Sequence, residues 1–175
     1  MTEAIFWKLI DTAIAESKGS LKNALNILEE DVAKLPGDQI LRFDLILHET
    51  ARVGYRSNML AAAYIINAGG DLDDLNDFLG FVIMQGQAIW QNALKNPDSL
   101  ADIEIEDEAL CPEIWELPEK AYERSTSQED FEMIHFDYPV SNLIGTLQTW
   151  YNENDKADKE KLKELLPNLY HKWWE

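Results

Sequence analysis

MLAAAYIINAGGDLDDLNDFLGFVIMQG, residues 59–86, decides the fold class of this chain. Its first ten residues, Met59 to Ala68, are apolar almost all round. A helix with no wet face is buried on every side. Gly69-Gly70 ends it. Leu75, Phe78, Leu79, Val82 and Ile83 then recur at three- and four-residue steps, the apolar face of a second helix. Gly86 either bends that helix or separates it from QAIWQNAL. A helix without a wet side needs other helices to cover it.

The covering helices lie upstream. Thr2 can N-cap a first helix whose stripe is Phe6, Leu9, Ile10, Ala13 and Ile14, and Gly19 ends it. Ser20 can cap a second, with Leu21, Leu25, Leu28, Val32 and Leu35 on one face. Pro36-Gly37 breaks that helix, and Asp38 can cap a third that carries Ile40, Phe43, Leu47 and Ala51. So short a turn predicts antiparallel packing of the second and third helices. Arg56-Ser57-Asn58 makes the break before Met59, and Asn96-Pro97 is a strong stop, because the residue before proline avoids the helical region. The expected fold is therefore all-α. It is a single compact multi-helix domain over residues 1–175, with a regular helical half (1–97) and a less regular half (98–175) packed on it.

The second half is harder to read. ADIEIEDEALCPE alternates briefly at Ile103 and Ile105 and is either an exposed acidic loop or a short edge strand. Pro112 and Pro118 bracket EIWEL, and a short helix can follow through Ala121 and Tyr122. Thr126 to Asp130 reads as a capping box for a helix with Phe131, Ile134 and Tyr138, closed by Pro139. SNLIGTLQTWY reads as helix capped by Ser141. NENDKADKEKLKELL has a helical C-terminal part, and Pro167 opens a last turn or two.

Four aspartates, Asp71, Asp73, Asp74 and Asp77, stand within seven residues. A calcium loop of EF-hand type needs oxygen ligands at its first, third and fifth positions, glycine at the sixth and a bidentate glutamate at the twelfth. Counted from Asp71, the fifth, sixth and twelfth positions are Leu75, Asn76 and Val82, and the loop fails. Asp73 and Asp77 share a helical face and stay as weak metal candidates that need a third ligand. The plainer reading is electrostatic: unpaired N–H groups in a first helical turn favour negative charge beside them. His48, His135 and His171 form no HExxH pair. Cys111 sits among Glu106, Asp107, Glu108 and Glu113, which disfavour its thiolate. Walker, GxGxxG, GxSxG and CxxC motifs are absent, and no cofactor is called for.

The net charge is −18. That argues against nucleic acid and anionic membrane as partners and fits a basic protein partner. A lone cysteine fits a reducing, cytoplasmic compartment. The N-terminus lacks the basic region of a signal peptide, and no apolar run is long enough to span a bilayer. Six tryptophans, Trp7, Trp90, Trp115, Trp150, Trp173 and Trp174, are available as core or interface anchors. Trp173 and Trp174 read as a staple of the C-terminus to the core. Arg52 and Arg56 read as internally paired, with an incoming carboxylate or phosphate as the alternative.

FWKLID (6–11), AAAYIINAGG (61–70), DFLGFVIMQG (77–86) and NPDSLADI (96–103) resemble successive blocks of a bacterial domain-of-unknown-function family. Its members carry FWxLI, AAYLI-GG, DDxFxxFRGWLIxQG and PDSLA blocks and sometimes sit beside WGR domains. The closing LPNLYHKWW is similar to the family's ending. The resemblance implies a bacterial, mainly helical, cytoplasmic domain with no activity to carry over. Leu79 stands where relatives often have arginine, and Phe81 where they often have tryptophan, which weakens an enzyme reading.

The expected function is a noncatalytic acidic protein-binding module, such as an immunity-like inhibitor of a basic bacterial toxin. Its expected contact stretch is Asp102 to Glu119, comprising Asp102, Glu104, Glu106, Asp107, Glu108, Glu113 and Glu116 with Trp115 as anchor. The alternatives are a structural or regulatory partner domain, for instance a homodimer, and a small-ligand or metal-binding enzyme domain using Asp71 to Asp77.

Overall fold

The apolar segment at residues 59–68 sits at the middle of a helical assembly. A computed structural model describes residues 1–69, 72–105, 108–128, 130–131, 143, 150–152 and 156–175. In chain order they form α1 (Glu3–Glu16), α2 (Leu21–Val32), α3 (Gly37–Val53), α4 (Ser57–Ile66), α5 (Leu72–Ile83) and α6 (Gln87–Lys95). A 3-10 helix (Pro97–Asp102), α7 (Glu113–Thr126), α8 (Lys159–Leu165) and α9 (Pro167–Trp174) complete the series. Tyr151 and Asn152 pair antiparallel with Ala157 and Lys156, a two-residue ladder that leaves the fold all-α.

Helix α4 buries Met59, Leu60, Ala61, Ala62, Ala63, Ile65 and Ile66. Around it lie α5, α8, α9 and the 3-10 helix. Its alanines let these neighbours come close, and its large residues fill the gaps between them. On the other side, α7 packs against both α2 and α3. The close α2–α3 pair expected from the short turn is thus replaced by two helices that both pack on α7, with α2 resting on α1 as well. The reason lies far along the chain, in the apolar face of α7 (Ile114, Leu117, Ala121).

Local signals hold at several starts. The Thr2 hydroxyl accepts from the Ile5 N–H and the Ser20 hydroxyl from the Asn23 N–H. They fail at others. Helix α3 starts at Gly37 behind Pro36, so Asp38 lies in its first turn instead of capping it. Pro118 does not break α7, which runs from Glu113 to Thr126. It stands inside the helix, at the sixth residue, and α7 continues past it with one i→i−4 backbone bond forgone. Thr126 ends that helix, and Ser127 follows in the left-handed region at φ 58°. The capping box expected there is therefore a helix end, while the helix expected around Ile134 and Tyr138 lies outside the described residues. So does most of SNLIGTLQTWY, of which Leu143 is helical.

Gly80 sets the distance between α5 and the start of α7. A Cβ there would lie 2.8 Å from the Cys111 carbonyl oxygen and 2.9 Å from Ile114 Cγ2. A carbonyl held by backbone cannot yield as a flexible side chain can. Gly80→Ala is expected to destabilise the protein by about 1–3 kcal/mol, the usual cost of overpacking. Urea unfolding of the purified variant checks this, and an unchanged midpoint would show that the contact relaxes freely.

Candidate functional site

The acidic stretch after Asn96 is fixed at five backbone positions. Asn96 caps the 3-10 helix by accepting from the Asp98 N–H. The Lys172 ammonium donates to the Ala101 and Ile103 carbonyls at 2.9 and 2.7 Å. The Ala109 N–H donates to Asn67 Oδ1 at 2.8 Å, and the Cys111 N–H to the Asp77 carbonyl at 2.9 Å. The segment is extended at Ile103 and joins no sheet among the described residues. Of the two readings of this stretch, the loop is the one observed.

Asp102, Glu104, Glu108, Glu113 and Glu116 are exposed along this fastened segment. Glu113 and Glu116 occupy the first turn of α7, where the helix dipole favours them. Glu116 also bonds Lys120 at 2.7 Å, one turn on. Glu106 and Asp107 lie outside the described residues.

Trp115 is half-buried, so it is not a free anchor projecting into solvent. Its ring stacks on His48 of α3, with centroids 5.3 Å apart and planes at 27°. Its indole N–H is buried without a hydrogen bond of full geometry. It faces Asp77 closely enough to favour that carboxylate, but burial outweighs it and pushes the Asp77 carboxyl above its usual range, helped by Asp74 and Glu113. On α3, Asp44 lies one turn before His48 and is 2% exposed. One oxygen stands 3.4 Å from His48 Nε2, and Oδ2 has no hydrogen-bond partner among the described residues. This Asp44–His48 pair was visible as Asp-x-x-x-His on one helical face. The amphipathic pattern of α3 masks it in the sequence.

Cys111 is fully buried, and burial pushes its thiol up to about 12, with Glu113 adding to the rise. A nucleophile needs the thiolate, so this thiol is poorly placed for covalent chemistry. Among the described residues, no three His, Cys, Asp or Glu side chains gather as a metal site. Asp73 sits in the first turn of α5 and Asp77 one turn later. Arg56 donates to the Leu94 carbonyl at 3.2 Å, and neither it nor the exposed Arg52 pairs with a carboxylate among the described residues. The internal partner expected for Arg56 is thus a helix-end carbonyl.

A shallow depression of about 420 Å³ lies over α1, lined by Lys8, Asp11, Thr12, Glu16 and Gln87 among others. Asp11 is already engaged there, accepting the Gln87 N–H at 3.0 Å. No described helix is long and apolar enough to cross a membrane.

Residues 1–124 match the model of a family described as a protein of unknown function (DUF4240). The match spans the FWKLID, AAAYIINAGG, DFLGFVIMQG and NPDSLADI blocks. No curated protein and no solved structure matches the chain.

Two results are expected at this site. The Cys111 thiol favours its neutral form in the folded protein, so its contribution to stability is present below its usual value near 9 and lost as pH rises toward about 12. Iodoacetamide at pH 8 should therefore label Cys111 no faster than the protein opens. Fast labelling of native protein would contradict this burial. Asp77 likewise favours its neutral form, so stability falls as pH rises through the carboxylate range. Asp77→Asn should raise the thermal midpoint at neutral pH and lose that advantage in acid. A lower midpoint at neutral pH would show that the charge is needed.

Proposed function

The chain belongs to the DUF4240 family of proteins of unknown function, and from that premise we propose that it is a noncatalytic acidic module that binds a basic protein. The reading rests above all on Asp102, Glu104, Glu108, Glu113 and Glu116, exposed beside backbone positions held by hydrogen bonds at Ala101, Ile103 and Ala109. A surface ordered beforehand loses little entropy when a partner docks. The net charge of −18 adds long-range attraction for a cationic partner. Trp115 supports the face from beneath through His48 and supplies its edge as the apolar part of the contact. The concrete form of this proposal is an immunity-like inhibitor in a bacterial cytoplasm that covers the cationic active site of a toxin. The buried Cys111 thiol supports a role without covalent chemistry.

The test uses the product of the neighbouring gene as the binding partner. Association should be fast at about 50 mM salt and much slower at about 500 mM, where screening shortens the reach of surface charge. The triple variant Glu108→Lys, Glu113→Lys, Glu116→Lys should slow association by roughly tenfold or more while dissociation changes less. Co-expression of the wild-type chain should protect growth against that product. No binding and no protection would defeat the proposal. Dimeric sedimentation with no basic partner would favour a structural role instead.

A further inference from the structure

We draw no further inference here: the strongest candidate, the Asp44–His48–Trp115 cluster between α3 and α7, carries nothing, because its two polar atoms without a full hydrogen bond among the described residues, Asp44 Oδ2 and Trp115 Nε1, are closed off from solvent and nothing in the structure shows a ligand that reaches them.

Discussion

Backbone groups at the ends of short helices must find partners, and here distant side chains supply many of them. Helix α6 has nine residues and no cap of its own; the Asp11 carboxylate from α1 meets its first N–H. Gly86, at φ 96°, allows the approach, because a Cβ there would lie 2.8 Å from that same carboxylate oxygen. Helix α9 is capped by Asp98. At the opposite ends, Arg56 takes a carbonyl of α6, and the Ser125 hydroxyl takes the Leu35 carbonyl in the turn before α3. An uncapped buried end costs about as much as a lost hydrogen bond. Each such contact therefore does two things at once: it stabilises a short helix and fixes which element lies beside it.

This divides the acids of a strongly acidic chain into two groups. Asp11 and Asp98 work inward, on helix starts. Asp102, Glu104, Glu108, Glu113 and Glu116 point outward, on a segment tied down by its backbone. The inward acids read as structure, and the outward acids as the surface available to a partner. Asp44 fits neither group. It is buried beside His48 with one oxygen unbonded, and that oxygen has no structural explanation here.

Much of the fold was legible because it rests on local patterns. The apolar run at Met59 to Ala68 gave the central helix, and Thr2 and Ser20 gave real caps. The C-terminal tryptophans do staple the chain end, with Trp174 bonded to α4 and lying against Tyr64 and Tyr170. What failed depended on contacts far apart in sequence. Asp38 looked like a cap but lies inside a first turn, while Asp11 and Asp98 looked like ordinary surface acids and are caps for helices some seventy residues away. Nothing near Gly80 in sequence shows that the Cys111 carbonyl will lie against it. The acidic stretch was legible as exposed charge, but Trp115 was not legible as a ring stacked on His48, since that contact joins α3 to α7.

The most direct measurement of long-range capping is amide exchange at Gln87 in Asp11→Ala. Loss of a side-chain cap typically costs about 1 kcal/mol. Exchange should accelerate at Gln87 and its neighbours at the start of α6 while α4 stays protected. Unchanged exchange at Gln87, in a protein that is otherwise folded, would contradict the claim that distant carboxylates hold the helix starts.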